Sequence, residues 1–565
     1  MNKKWEICEC NEELVKKIIK ENGISELLAT LLVNRGITNK EEIDIFLEPT
    51  RNDFHDPYLM PDMKKAVDRL QKAIETNEKI IIYGDYDVDG VTSITVLKKF
   101  LQERGMINVG YYIPKRLEEG YGLNKEAVKK IYDMGYSLIV TVDCGITGIE
   151  EIEYAYELGM EVIVTDHHEP LDEIPKAVAV IDCKRKDSEY LFKELAGVGV
   201  VFKLTQAISQ RLGLPEKDYL KYLDIVCVGT ISDIVPLVNE NRVISKLGLK
   251  LVAQTRCLGL KSLIEANTSR NSSINASTVS FCIAPRINAC GRIGYEMEAV
   301  KLFMTENLGE ARQTTEKLNV YNRTRQDIEK KIFEEAKEII EKNNLQERNT
   351  IVIGKEGWHH GVIGIVASKI TELYFKPTIL VGFEDGIGKG SGRSIPGFDL
   401  HAALHSISDY LDKFGGHEMA VGVTVNQEKF DEFAEELEKK AKEAHTEQLV
   451  PIISIDKEIM PRDLTIQLVE ELGKLEPYGT SNVVPMFLIR NLKIDSIRTL
   501  VEGKHLKLTL QEGGNIINGI GFNLGSYADE FLLGDKVDVI GMLEINVFNN
   551  IKNIQINIKD IRKSY

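Results

Sequence analysis

Gly84-Asp85-Tyr86-Asp87-Val88-Asp89-Gly90 follows the apolar run Ile80-Ile81-Ile82-Tyr83 and precedes a segment, Val91 to Arg104, whose apolar residues recur at helical spacing. The run reads as a buried strand, so three carboxylates stand where a strand ends and a helix begins. That is the usual ligand position in open α/β sheets. Like charges crowded there raise one another's pKa unless a cation neutralises them, and a bound divalent metal is the economical explanation. Asp-x-Asp-x-Asp-Gly also opens a calcium-binding EF-hand loop, which needs a bidentate Glu at its twelfth position. Counted from Asp85 that position is Val96, inside the expected helix, so the calcium loop fails. A polar turn with solvated aspartates stays open on these residues alone.

Outward from this stretch, from about 60 to 235, strand and helix patterns alternate. Strands are expected at Ile80–Tyr83, Val109–Ile113, Leu138–Val142, Glu161–Thr165 and Ala177–Ile181, with helices such as Lys125–Met134 and Ile149–Leu158 between them. This alternation predicts βαβ units and a mainly parallel sheet. The strand ends carry chemistry. One closes with Thr141-Val142-Asp143-Cys144-Gly145, and the next with Thr165-Asp166-His167-His168-Glu169. A later apolar stretch holds Asp233 within Gly229-Thr230-Ile231-Ser232-Asp233-Ile234-Val235-Pro236. Buried unpaired carboxylates are costly, so such a cluster should coordinate metal or share hydrogen bonds. An Asp/His mixture suits Mn²⁺ or Mg²⁺. Several carboxylates able to bridge suggest two ions about 3.5–4 Å apart, the spacing that serves in-line displacement at phosphorus.

Composition bounds the rest. At 565 residues, about three to five domains are expected. With 43% hydrophobic and 28% charged residues, the chain can bury large cores. No apolar run approaches the roughly 20 residues that span a bilayer, and the charged start Met1-Asn2-Lys3-Lys4-Trp5-Glu6 lacks a secretory core. Eight irregularly spaced cysteines form no disulfide framework and no Cys-x-x-Cys pair, so a reduced, cytoplasmic protein is expected. The net charge of −16 requires that any nucleic acid lie in a locally basic groove.

Residues 1–50 read as a helical N-terminal segment with Thr38 as a possible cap. Within Val279 to Gly294, Arg286, Asn288 and Arg292 suit phosphate contact, with a loop paired to surface acids as the alternative. Glu298 to about Lys342 is a charged helical pattern, read as a bridge between domains and as scaffold. A second α/β unit follows, with Gly357-Trp358-His359-His360-Gly361 before an apolar helix, then Gly388-Lys389-Gly390-Ser391-Gly392-Arg393 and Gly415-Gly416-His417. Gly388–Gly392 matches neither a P-loop nor a dinucleotide fingerprint, but its backbone donors, hydroxyl and two cations suit one phosphate group. Beyond Val450, about five β-like runs punctuated by glycine turns predict a small barrel, most simply an OB-fold, with Phe487, Phe522 and Phe548 as base-stacking or core residues.

Asp-Tyr-Asp-Val-Asp-Gly, Asp-Cys-Gly, Asp-His-His and Ser-Asp-Ile resemble, in order and in strand context, the four motifs of the DHH phosphoesterase superfamily. From roughly residue 50 to the end the chain resembles its RecJ branch, the single-strand-specific 5′→3′ DNA exonucleases. Related pyrophosphatases carry His two residues before the position of Asp85; Tyr83 stands here and favours the nuclease branch. The resemblance implies a DHH catalytic domain over 51–295, a connecting helix over 296–347, a DHHA1 substrate-binding domain over 348–447 and an OB-fold domain over 448–565. It also implies two Mn²⁺ or Mg²⁺ ions on Asp87, Asp89, Asp143, His167 and Asp233, with Asp143 bridging, His168 near the scissile phosphate, and Asp85 and Asp166 as close supports. Ser391 and Arg393 match the family's 5′-phosphate anchor, and Gly415, Gly416 and His417 its Gly-Gly-His motif. The implied partners are single-stranded DNA, with a single-strand-binding protein and a helicase, for a monomer in DNA repair and recombination. Two competing readings, a phosphodiesterase of short oligonucleotides or cyclic dinucleotides and an inactive replication scaffold, are disfavoured by the barrel region and by the complete motif set.

Overall fold

A computed structural model describes residues 3–116, 118–269, 273–446, 449–548 and 551–564, and of Phe548 the backbone alone. Strand Ile80–Gly84 is an inner strand of a five-stranded, all-parallel sheet with the order 109–112, 80–84, 138–142, 161–165, 179–181. Both faces are covered, as a parallel sheet requires. Ile80 and Ile82 face a cluster with helices Met63–Thr76, Val88–Gln102, Gly197–Arg211 and Leu223–Ser232. Ile81 and Tyr83 face helices Lys125–Asp133 and Ile149–Glu157. The alternation is the two-residue period of a strand, and each fully buried aliphatic side chain contributes about 1.5–3 kcal/mol. The first strand has its successor on one side and its third on the other. The chain therefore reverses direction across the sheet between 80–84 and 138–142, and a crevice opens at their carboxyl ends. The expected strands and helices of this unit lie within three residues of those observed, the largest shift being helix Val88–Gln102, which starts three residues before the expected Val91.

Helix Leu308–Lys342 starts at the Asn307 cap and runs for 35 residues, about 52 Å at 1.5 Å per residue. Ala311 and Leu318 pack in the core of the first unit; Ile332, Ala336 and Ile340 pack against the second unit. One rod therefore fixes two cores across a cleft. The second unit is a five-stranded sheet in the order 413–417, 420–426, 387–393, 378–384, 351–356, parallel only between its last two strands. Gly388 to Arg393 is not the expected phosphate-cradling loop. It is strand Ile387–Arg393, and both its edges are paired into the sheet, which occupies the backbone donors. Its glycines have a packing cause: a Cβ on Gly388, Gly390 or Gly392 would meet Phe383, Val423 or Val421 at 2.6 Å.

The C-terminal strands close into a barrel, because Phe487–Leu500 pairs with both His505–Glu512 and Lys536–Phe548. Phe487 is core, Phe522 is half exposed, and the Phe548 side chain lies outside the described residues. The N-terminal segment is helical over Glu12–Asn22, Glu26–Asn34 and Lys40–Leu47, but it opens with a strand, Lys4–Ile7, and the third helix is capped by Asn39 rather than Thr38. That strand pairs with Ile452–Ile455, and Ile18, Leu28 and Phe46 join the barrel's core. Arg242, 1% exposed, ties this composite unit to the catalytic one: its guanidinium donates to Phe46 O at 2.6 Å and Glu476 O at 3.0 Å. The Leu237 N–H donates to Thr480 O. Among the described residues no helix is long and apolar enough to cross a membrane.

Candidate metal centre and nucleic-acid cleft

The crevice at the sheet's reversal point gathers the acidic motifs. Asp87 caps helix Val88–Gln102, accepting the Gly90 N–H at 3.1 Å, and thereby turns the chain so that Asp89 points inward. Asp89 is 1% exposed, and both its oxygens accept backbone N–H groups from the start of helix Gly197–Arg211, Gly197 at 2.6 Å and Val198 at 2.8 Å. Asp143 follows its strand in the left-handed region, φ 59°, a strained conformation of the kind held at functional sites. Asp166 is fully engaged, accepting the His167 N–H at 2.8 Å, the Ile146 N–H at 2.9 Å and His168 Nδ1 at 2.7 Å. Asp233 ends helix Leu223–Ser232 and reaches the same crevice.

His167 Nε2 stands 3.1 Å from Asp143, 3.7 Å from Asp233 and 3.9 Å from Asp89. Three sets of possible ligands lie within 4.8 Å: Asp143-His167-His168, Asp89-His167-Asp233 and Asp85-Asp87-Asp143. Asp143 and His167 each belong to two of them. Asp85 therefore stands geometrically among the potential ligands rather than behind them. Asp85 Oδ1, Asp143 Oδ1 and His167 Nε2 are buried with no hydrogen-bond partner among the described residues. Orphaned acceptors in such company fit divalent cations.

The electrostatics agree. Burial, and then neighbouring carboxylates, push Asp89 up to about 7 and hold Asp85, Asp143 and Asp233 well above the carboxylate range. Burial and the adjacent His168 press His167 down to about 3, so its ring is a neutral donor of a lone pair. Burial opposes the charged forms of Asp166 and His168, yet their mutual hydrogen bond prevails, lowering the acid and raising the histidine. His168 is thus held toward its charged form on the open side of the cluster.

The expected substrate arginines divide. Val279–Gly294 is largely helical, with a π-turn over Val279–Ile283 and an α-helix over Ala284–Arg292. Arg286 donates to Asn267 Oδ1 at 2.7 Å, Asn319 Oδ1 at 2.9 Å and Cys282 O at 2.5 Å, within its own unit. Asn288 accepts the Val88 N–H at 3.1 Å and so braces the first motif. Arg292 faces the cleft and donates to Gly361 O at 3.0 Å across it; burial and Arg116 hold its pKa down to about 10. With Arg325 of the long helix it lines a cavity of about 440 Å³ shared with Ile234, Phe281 and Tyr478. The connecting helix therefore contributes to the cleft as well as to the scaffold.

Three further residues were absent from the sequence-based expectations. Arg116 lies over the Tyr86 ring at 4.8 Å, and its charge reaches Asp85, Arg292 and Arg393. The Tyr121 hydroxyl donates to Asp143 O at 3.1 Å and stands 3.2 Å from His168 Nδ1. Gly197 touches both Asp89 and Asp143. Arg116 and Tyr121 come from the loop after strand Val109–Tyr112, and the Gly120-Tyr121-Gly122 spelling was the available signal.

In the second unit, Ser391, Gly422 and Gly415 form one cross-strand row, and Arg393, Ala420 and His417 form the next. Cross-strand partners share a face, so residues from two separated motifs lie side by side. Arg393 Nη1 donates to Ser391 Oγ at 3.1 Å. A Cβ on Gly415 or Gly422 would meet nothing within 4 Å, leaving an open floor beside that pair, whereas Gly416, φ 134°, abuts Ala420.

Models of three families match the chain: DHH family, N-terminal domain, over 79–230; DHHA1 domain over 348–443; and RecJ OB domain over 455–560. The single-stranded-DNA-specific exonuclease RecJ of Bacillus subtilis is 40% identical over 99% of this chain and 70% of its own length. That of Escherichia coli is 34% identical over 95% of each. The crystal structure of RecJ in complex with Mn²⁺ from Thermus thermophilus superposes with a TM-score of 0.86 at 30% identity, covering all of this chain and 80% of that one.

Proposed function

The chain belongs to the RecJ family of single-stranded-DNA-specific exonucleases, and on that premise we propose that it releases 5′-mononucleotides stepwise from the 5′ end of single-stranded DNA by metal-dependent hydrolysis. The observation that carries this reading is the pair Asp143 Oδ1 and His167 Nε2, 3.1 Å apart, buried and unpartnered among the described residues, with Asp85, Asp87, Asp89 and Asp233 around them. These residues would hold two Mn²⁺ or Mg²⁺ ions, which when bound would supply an acidified water near neutral pH and offset charge on the scissile phosphate.

The remaining roles fall to side chains. Ser391 and Arg393 take the terminal 5′ phosphate over the floor left by Gly415 and Gly422, with Gly416 and His417 shaping the edge. Arg292 and Arg116 meet the next phosphate between the two units. Asp166 holds a proton on His168 Nδ1, so His168 faces the developing negative charge as a cation. Gripping the 5′ end places the first phosphodiester at the metal cluster, which sets polarity and a one-nucleotide step. The cleft acts on strands already separated, which supports a helicase or a single-strand-binding protein as upstream partners of a monomeric enzyme in repair and recombination. Eight unpaired cysteines support a reducing, cytoplasmic setting.

The test is incubation with Mn²⁺ and 5′- or 3′-labelled single-stranded DNA beside blunt duplex and a dinucleotide. The expected result is immediate mononucleotide release from the 5′ label, gradual shortening of the 3′-labelled strand and an intact duplex. Cleavage of the dinucleotide alone would overturn it.

A further inference from the structure

Beside the anchor lies a cavity of about 550 Å³ that the exonuclease reading leaves without a ligand. Its basic lining is Arg116 from the catalytic unit and His359, His360 and the exposed Lys389 from the second unit. His360 Nδ1 is buried with no hydrogen-bond partner among the described residues, and Nε2 stands 3.8 Å from Glu384. Glu356, Glu384 and Asp385 are exposed at the mouth.

The cavity continues the anchor. Lys389, Ser391 and Arg393 alternate along one strand, so they stand in a row on a single face. Helix His360–Tyr374 tracks that row. A Cβ on Gly364 would lie 2.9 Å from Ser391 Oγ, while His360, one turn earlier, adjoins Gly382, the cross-strand partner of Lys389. From Ser391 the face therefore leads about 6.6 Å outward to Lys389 and the cavity. Arg116 joins the two places. After burial, its charge is what depresses the pKa of Arg393, and it acts on His359 as well.

We propose that this cavity receives the β and γ phosphates of a 5′-triphosphorylated strand, whose first residue the enzyme then removes as a nucleoside 5′-triphosphate. The proposal rests on the exonuclease reading and extends its anchor. The α phosphate takes the ordinary position at Ser391 and Arg393, and the outer phosphates reach Lys389 and His360. A basic wall with carboxylates at the mouth fits a polyphosphate carrying Mg²⁺, an ion that carboxylates and phosphates bind jointly. It fits a continuing DNA backbone poorly, because the rim acids would repel each phosphate that passed. In the reaction, water adds to the phosphorus of the first internucleotide linkage, the P–O3′ bond breaks and O3′ takes the proton. The remaining strand keeps a 5′-monophosphate, and no bond within the triphosphate is cut.

The experiment uses the full chain with Mn²⁺ and a 20-mer bearing a 5′-triphosphate labelled at the γ position, beside the same strand with a 5′-monophosphate. The expected product is labelled nucleoside triphosphate. His360→Ala and Lys389→Ala should each raise KM for the triphosphorylated strand about tenfold, the worth of one charge-assisted hydrogen bond, and leave the monophosphorylated strand unaffected. Lys389→Glu, at an exposed position, should act more strongly in the same sense. Label retained on the strand, or released as phosphate or pyrophosphate, while the monophosphorylated strand is degraded would overturn the proposal alone. So would equal effects of the variants on both strands. If the monophosphorylated strand also survives, the exonuclease reading and the proposal fall together.

Discussion

The Gly197 N–H donates to Asp89 Oδ2 at 2.6 Å, and a Cβ on Gly197 would stand 2.6 Å from Asp143 Oδ1. One backbone position thus spaces two acids that belong to different motifs. Gly197→Ala has no room and must displace one of them. A misplacement near 1 Å costs about 10²-fold in rate, so turnover with Mn²⁺ should fall by at least about that factor while the circular dichroism stays native. Normal turnover in this variant would refute the spacing role.

Asp143→Asn should separate catalysis from stability. At alkaline pH, where Asp143 is ionised, it removes one buried charge from a repelling group without changing shape, so the metal-free protein should there melt about 2–4 °C higher, the shift expected for roughly 1 kcal/mol. Turnover should be abolished in the same variant. Calorimetry without metal and a nuclease assay with it check the two halves, and a lower melting temperature would count against the repulsion.

The carboxylates also predict how metal and pH combine. Asp89 is raised to about 7 in the folded protein, with Asp85, Asp143 and Asp233 raised as well, chiefly by burial. A folded pKa above the unfolded value of about 3.9 favours the protonated form on folding. That stabilisation is complete below about pH 3.9 and is lost as pH rises through the folded value. Without metal, the melting temperature should therefore fall between pH 5.5 and 8, and the gain on adding Mn²⁺ should grow over the same interval. Thermal melts at matched ionic strength measure this; a gain independent of pH would mean that these acids do not hold the ion.

Ser391 and Arg393 should govern the 5′ end alone. Arg393→Gln should raise KM for 5′-phosphorylated strands about 10–100-fold, the loss of a charge-assisted contact, and leave 5′-hydroxyl strands nearly unchanged. Steady-state kinetics on the paired substrates decide it. Equal losses on both would make Arg393 a structural residue.

What could be read from the sequence was what is local. Each acidic motif follows a short apolar run that fixes strand direction, so Asp85, Asp143 and Asp166 could be assigned to one sheet edge without knowing the strand order. Arg286 could not be placed, because an arginine on a helix is spelled the same whether it meets substrate or Asn267 and Asn319. Gly388 to Gly392 misled for a related reason. Alternating glycine signals a loop, and only the neighbouring Phe383, Val421 and Val423 reveal a strand pressed from one side. Gly197 and Arg116 acquire their significance from residues more than a hundred and about thirty positions away, respectively, which no local pattern records.

Strand Lys4–Ile7 closes against Ile452–Ile455, and the first three helices share the barrel's interior. On the ribosome these apolar faces find their partners only after roughly 450 more residues have been made, a wait of about 20–90 s at ordinary elongation rates. During that interval the catalytic unit can fold while the leading segment cannot bury Leu28, Leu31 and Leu32 in their final places. The barrel unit therefore becomes stable only after the catalytic unit between its two halves has been made.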